Sequence, residues 1–151
     1  NKKDFRCEEN IIEYGYKFHM NDICALIGTE QLKYAEKIVS AHENNAEFYS
    51  NNIANSLVKK ITYEDNKRSS YWLYTIHVKN RDTFMKYLDE NNIMSSKVHE
   101  RNDKHDAFID SRVELPGVDK FCDTQVSIPV GWWLSESERE YIVNVVNSYS
   151  S

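Results

Sequence analysis

The segment Tyr14-Gly15-Tyr16-Lys17-Phe18-His19-Met20-Asn21-Asp22 decides how the rest of the chain is read. It joins an aromatic-rich extended stretch, with a cation at its centre, to the start of a long helix. Asn21 suits the N-cap, where its side-chain oxygen accepts a backbone N–H of the first turn. Beyond it Ile23, Ile27, Leu32, Ala35, Val39, His42, Ala46, Tyr49 and Ile53 recur at helical spacing. This predicts one helix from Asp22 toward Ile53 with an apolar face buried along its whole length. At about 1.5 Å per residue such a helix is roughly 45 Å long, more than a compact domain of this size needs, so it is expected to span two bodies. Gly28 inside it costs roughly 1 kcal/mol relative to Ala and predicts a kink or a close packing contact there.

Working outward, Ser56 to Tyr63 reads as a short strand and Glu64 to Ser70 as a polar loop. Tyr71 to Lys79 is rich in aromatic and β-branched residues, with Trp72, Tyr74, Ile76 and Val78 on one face and Tyr71, Leu73, Thr75 and His77 on the other. Both faces are substantially apolar, which predicts a central strand. Asn80 is placed to cap a helix from Arg81 to Asn91 with Phe84, Met85 and Leu88 inward, and Asn91-Asn92 to end it in the left-handed conformation that Asn tolerates. A strand from Ile93 to His99, a charged loop from Glu100 to Arg112, a short helix opened by Pro116-Gly117 and a strand from Gln125 to Val130 follow. The last helix starts with a Ser135-x-x-Glu138 capping box and turns Tyr141, Ile142, Val145, Val146 and Tyr149 inward. Short antiparallel connections with helices grouped on one side predict an α+β fold, a two-layer sandwich of a small, mainly antiparallel sheet with helices on one face.

With 151 residues, of which 40% are hydrophobic, the chain can bury a core of its own. The net charge of -5, with acids and bases interspersed and no basic stripe, argues against a nucleic-acid partner. Cys7, Cys24 and Cys122 are widely spaced and odd in number, which fits reduced thiols rather than zinc or a disulfide framework. No run approaches the roughly 18 to 20 apolar residues that cross a membrane, and a soluble, cytoplasmic protein is expected. The chain opens Asn1-Lys2-Lys3-Asp4 with no initiator Met, and is expected to be part of something larger.

The run Gly15-Tyr16-Lys17-Phe18-His19-Met20-Asn21-Asp22, then Ala25-x-Ile27-Gly28 and Gln31-Leu32, resembles the Gly-Tyr-Asn-x-Arg-Met-x-Glu, Ala-x-x-Gly and Gln-Leu signature of the DegT/DnrJ/EryC1/StrS aminotransferases. The likeness continues through Arg81-Asp82, the run Val98-His99-Glu100-Arg101-Asn102-Asp103-Lys104-His105, and Ser127-Ile128-Pro129-Val130. Lys17, His19 and the late Arg-Asn-Asp-Lys-His are most similar to the perosamine-synthase-like branch. The resemblance implies the C-terminal portion of an enzyme that uses pyridoxal 5'-phosphate to move an amino group from an amino acid, commonly glutamate, to a nucleotide-linked 4-keto-6-deoxy sugar. It also implies a homodimer and the small domain of a fold-type I aminotransferase. In these terms residues 1–20 are an extended cofactor-reaching segment, 21–55 a linking helix and 56–151 the small α+β domain.

Such chemistry needs a lysine that bonds the cofactor covalently, and in the family that lysine lies upstream of the Gly-Tyr-Asn segment. Nothing before Tyr14 matches it, and Lys97 in Ser95-Ser96-Lys97 sits on the wrong element. No catalytic residue and no cofactor are therefore expected for this chain alone. Lys17 stands where the family's Asn reaches the cofactor phosphate of the neighbouring subunit. It is either that phosphate's partner, as a point charge, or a solvated lysine in an aromatic loop. His19 replaces the family's Arg and is either a weaker substrate contact or a packed histidine. His99 and Arg101 face the sugar nucleotide by resemblance; on their own residues they read equally as part of a solvated loop. His99, Asp103 and His105 lack a fourth ligand at sensible spacing, so no metal site is assigned. His42 reads as a semi-buried histidine, and Trp132-Trp133 as a cover for the end of the core rather than a stacking platform. The rival reading of the whole is a free-standing, non-catalytic α+β binding or regulatory module.

Overall fold

The computed structural model describes residues 10–18, 20–62 and 67–150. Cys7, His19 and the loop positions Glu64–Asn66 therefore lie outside the described residues. The elements run α1 (Asp22–Asn52), β1 (Val58–Lys60), β2 (Tyr74–Val78), α2 (Arg81–Glu90), two 3-10 turns (Asn102–Lys104 and Asp106–Ser111), α3 (Pro116–Thr124), β3 (Gln125–Ile128) and α4 (Glu136–Ser148). The sheet is antiparallel with order β1-β2-β3, so β2 is central as its two apolar faces predict.

Alternation along β2 sends Tyr74, Ile76 and Val78 into the core, where they meet Val126 and Ile128 of β3. Three helices cover this face: α1 through Ala46 and Tyr49, α2 through Phe84 and Leu88, and α4 through Ile142, Val145 and Val146. The opposite face carries Thr75, His77, Gln125 and Ser127, and the short α3 lies over it with Phe121 edge-on to His77 at 5.0 Å between centroids. The architecture is the expected α+β sandwich, with three helices on one face of the sheet.

Caps explain where the helices start and stop. Asn21 accepts the N–H of Cys24 at 2.9 Å, and Ser135 with Glu138 forms both arms of a capping box. α1 has no cation in its own last turn; Lys60 supplies one from β1, its ammonium donating to the carbonyls of Ser50 and Ile53. Asn80 occupies the N-cap of α2 without a side-chain hydrogen bond, so it does not cap as the sequence suggests. At the other end Asn92 takes φ 57, while the N–H groups of Asn92 and Ile93 bond the carbonyls of Asp89 and Leu88. This left-handed stop buries Ile93.

Four further expectations change. The apolar face of α1 is not buried along its length: Ile23 is 72% exposed and Leu32 71%, and full burial begins only at His42. α1 continues through Gly28 as one α-helical run, and a Cβ built there meets nothing within 4 Å. Ile93 to His99 is not a strand; one bridge, Ser96 to Ser127, joins it to β3. Tyr141 is half exposed, its hydroxyl donating to the carbonyl of Asn91.

The entry to β2 also departs from alternation. Tyr71 sits at φ 45, a left-handed conformation that a bulky side chain resists. Its carbonyl accepts from Nδ1 of buried His42 at 2.9 Å, and its N–H donates to the Ser69 hydroxyl. The backbone turns there, so Trp72 does not extend the inward row of Tyr74, Ile76 and Val78.

Two substitutions test this account by urea unfolding. Asn92→Ala is expected to lose about 1 kcal/mol because Ala resists the left-handed region, while Asn92→Gly stays within about 0.5 kcal/mol of the parent. Asn45 is buried and donates to the carbonyls of Val130 and Gly131. Asn45→Ala leaves them without that donor and is expected to cost roughly 1 to 3 kcal/mol.

Candidate functional site

The Ile128 end of the sheet opens into a cleft of about 310 Å³. Its walls come from three places in the chain. Ser127 to Gly131 follow β3, Met94 to Ser96 form the bridged segment beside it, and Trp72 and Trp133 stand at the rim. Trp72 is 70% exposed and lies edge-on to His99, with ring centroids 6.3 Å apart. Trp133 folds back over Gly131 so closely that a Cβ on that glycine would meet the indole, which is why the position needs no side chain. Its other neighbour is His42, also edge-on at 6.3 Å.

Trp132 and Trp133 are both more than half exposed, and Trp133 lies over buried Gly131 and against buried His42 with its outer side open. Two indole faces beside the hydroxyls of Ser95, Ser96 and Ser127 offer apolar stacking and hydrogen bonding together, the combination that holds a polyhydroxylated ring. The sequence does not single out Trp72 or Ser96 as cleft residues. The alternation of Tyr71 to Lys79 puts Trp72 on the face of Tyr74, Ile76 and Val78, nothing in the spacing of Ser95 and Ser96 marks them, and Ser127 enters only through the resemblance of Ser127-Ile128-Pro129-Val130.

The charged loop after His99 is braced by its own ion pairs. Arg101 makes a fork on Asp103, with contacts of 2.6 and 2.5 Å, and also pairs with Asp119 of α3. The Arg101 hydrogen bond holds the Asp103 carboxyl below its usual range, and Asp103 in turn raises Arg101. Arg112 donates to the carbonyls of Asp103 and Lys104 at 2.7 and 2.9 Å. Burial pushes the Glu100 carboxyl upward, but the hydrogen bond from Lys104 and the charges of Lys104, Lys97 and Arg81 outweigh it, leaving it below the ordinary value. Lys97 is thereby an ion-pair partner of Glu100. The carbonyl of His99 is held by the Gln125 side chain, which is buried at the end of β3.

The N-terminal segment docks on this loop. Asn10 accepts from the Asp106 N–H at 3.0 Å and donates to its carboxylate at 2.7 Å, while the Ile11 carbonyl accepts from Ala107 at 2.9 Å. The Ile11 N–H also donates to Nδ1 of His105 at 3.4 Å, which puts the proton of neutral His105 on Nε2. Two stretches ninety-four or more positions apart in sequence thus share one surface. Lys17 follows in an exposed run in which Tyr16 and Phe18 pack ring against ring. Among the described residues Lys17 makes no ion pair and does not touch His99 or Arg101. Among the described residues, too, no three His, Cys, Asp or Glu side chains lie together as a metal site, and no helix is long and apolar enough to cross a membrane.

Comparison with known proteins bears on all of this. The chain is 27% identical over 144 residues to the dTDP-3-amino-3,6-dideoxy-alpha-D-galactopyranose transaminase of Aneurinibacillus thermoaerophilus, an alignment that takes in 93% of this chain and 39% of that enzyme. It is 35% identical over 86 residues to GDP-perosamine synthase of Vibrio cholerae, covering 53% of this chain and 23% of the relative. Its fold superposes on the sugar aminotransferase CalS13 of Micromonospora echinospora with a TM-score of 0.82 and 35% identity, over 89% of this chain and 37% of that one. The chain therefore spans about two-fifths of the length of such relatives. The sequence model of the DegT/DnrJ/EryC1/StrS aminotransferase family matches residues 1–147, and the chain belongs to that family.

Proposed function

We propose that this chain is the C-terminal part of a pyridoxal-phosphate-dependent aminotransferase that passes an amino group from an amino acid, glutamate in the simplest case, to a nucleotide-linked 4-keto-6-deoxy sugar. The relatives that act on dTDP- and GDP-linked amino sugars support the substrate class. The observation that carries the reading is the docking of Asn10 and Ile11 on the His105 turn. It ties the segment leading to Lys17 to the loop that bears His99 and Arg101. Trp72, edge-on to His99, joins that loop to the indole-lined cleft.

In this reading residues 1–20 reach a cofactor held elsewhere, 21–55 link two bodies, and 56–151 form the small domain. The bare half of α1 fits that division, because exposed Ile23, Leu26, Ile27 and Leu32 are an apolar stripe of the kind that packs against a partner. The exposed ammonium of Lys17, which makes no ion pair among the described residues, fits a phosphate as a point charge, and a homodimeric neighbour would present that phosphate. When bound, the cofactor supplies the carbonyl and the electron sink through which the amino group is exchanged. His99, and Arg101 once freed from its carboxylates, contribute hydrogen bonds and charge toward the sugar nucleotide. His19, beside Lys17 in sequence, is assigned to the same substrate side. Trp72 and Trp133 exclude water and stack.

Two measurements test the reading. The chain alone, mixed with pyridoxal phosphate and reduced with borohydride, is expected to show no stoichiometric adduct at any one lysine by intact mass; one full equivalent on Lys97 overturns the assignment. In the gene product that contains this chain, Lys17→Ala is expected to weaken cofactor affinity by about tenfold. His99→Ala is expected to lower kcat/KM for the keto-sugar by about tenfold while sparing the half-reaction with glutamate. A gene product that begins at Asn1 and lacks transaminase activity favours the free-standing module instead.

A further inference from the structure

On the far side of the sheet from the core, between β1 and α3, lies a groove of about 670 Å³ that the aminotransferase reading leaves without a role. Its walls follow from two periodicities. Lys59 pairs across the sheet with His77, so both project on the α3 side, and Ile61 and Lys79 share that parity. Lys120, Phe121 and Thr124 come from one face of α3. The groove therefore has an apolar and aromatic interior, built on Ile61 and Phe121, with ammonium groups around it.

The charge distribution there reverses that of the whole chain. The chain carries a net -5, yet among the described residues none that lines the groove is acidic. Among the described residues Lys59, Lys79 and Lys120 make no ion pair, unlike Lys97 and Lys104 near Glu100. Lys60, also at the groove, is already spent on the end of α1. Three exposed ammonium groups lining one concave, partly apolar surface give that surface a positive field that favours an anion.

His77 reports the same field. Its Nδ1 lies 2.9 Å from the Thr124 hydroxyl, whose single proton goes to the Lys120 carbonyl at 2.7 Å. Nδ1 must therefore carry the hydrogen of the neutral ring, leaving Nε2 as acceptor. Burial, then Lys59 and Lys120, push the His77 pKa below its ordinary value.

We propose that this groove binds a small organic anion, an aromatic or otherwise flat apolar body carrying a phosphate or carboxylate, with the body against Phe121 and Ile61 and the charge held by Lys59, Lys79 and Lys120. The volume is in the range of small-molecule sites. This site is separate from the Trp72 and Trp133 cleft, with which it shares no lining residue.

The test uses 1-naphthyl phosphate titrated into the chain, with 1-naphthol and inorganic phosphate as separate probes. The phosphate ester is expected to bind at least about tenfold more tightly than either half, because only it meets both the ring surface and the cations. Lys59→Ala and Lys120→Ala, both at exposed positions, are expected to weaken it about threefold each and about tenfold together; Phe121→Ala weakens 1-naphthol as well. Ligand binding is also expected to raise the titration midpoint of His77, followed by its ring proton resonance, since an anion offsets Lys59 and Lys120. The other groups around that ring, Phe121, Thr124 and Gln125, are uncharged. Affinity should accordingly increase as pH falls through that midpoint. Equal binding of all three probes, indifference to the lysine substitutions, or resonance changes centred on Trp72 and Trp133 would each overturn the proposal.

Discussion

Three successive carbonyls at the end of β3 fix the relation between the long helix and the sheet. Pro129 has no N–H and ends the ladder, which leaves the carbonyls of Pro129, Val130 and Gly131 facing α1. The helix satisfies all three with two side chains one turn apart: Tyr49 donates to Pro129 at 2.8 Å, and Asn45 donates to Val130 and Gly131 at 3.2 and 3.0 Å. Both donors are buried, and burial pushes the Tyr49 phenol well above its ordinary pKa, so the hydroxyl stays protonated as a donor. Because an unmet buried carbonyl costs on the order of 1 to 3 kcal/mol, helix rotation or sliding is strongly opposed. The direction of α1 thus depends on how a proline ends a strand.

That clamp has consequences at both ends. Toward the sheet it presents Gly131 and Trp133 as one wall of the cleft, with Trp133 folded over a glycine that has no side chain to displace it. Toward the N-terminus it projects the first half of α1 away from the core, where its apolar residues have no partner among the described residues. The segment before Asn21 would swing freely if the helix alone held it. The hydrogen bonds of Asn10 and Ile11 to the Asp106 and His105 turn provide a second anchor, so Lys17 lies between two fixed points rather than on a loose arm.

Most of the fold was legible because hydrophobic period and capping chemistry act locally. Asn21, the Ser135 to Glu138 box, the left-handed Asn92 and the central position of β2 all follow from short-range rules. What failed is equally physical. Periodicity tells which face of α1 is apolar but not how much partner surface is present to bury it. The left-handed Tyr71 breaks an alternation that looked continuous in sequence, because the His42 bond supporting it comes from twenty-nine positions away. The strand expected from Ile93 to His99 is reduced to one bridge at Ser96, and the Gln125 side chain takes the His99 carbonyl. Of the candidate site, His99 and Arg101 fall beside the cleft and in the braced loop. The indole rims and serines were not legible, since a cleft is made by elements distant in sequence.

The loop electrostatics constrain how any anion could reach Arg101. Its guanidinium is committed to two carboxylates, Asp103 through a fork and Asp119 from α3. Asp103 titrates below the usual carboxylate range because of that fork, so falling pH does not release Arg101 anywhere near neutrality. An anion at Arg101 must therefore compete with the carboxylates directly. Arg112 is adjacent, already bonded to the Asp103 and Lys104 carbonyls and 3.7 Å from the Asp106 carboxylate. Any anion that binds Arg101 must offset the loss of those carboxylate contacts, so the brace itself sets a threshold on the charge of what the loop can hold.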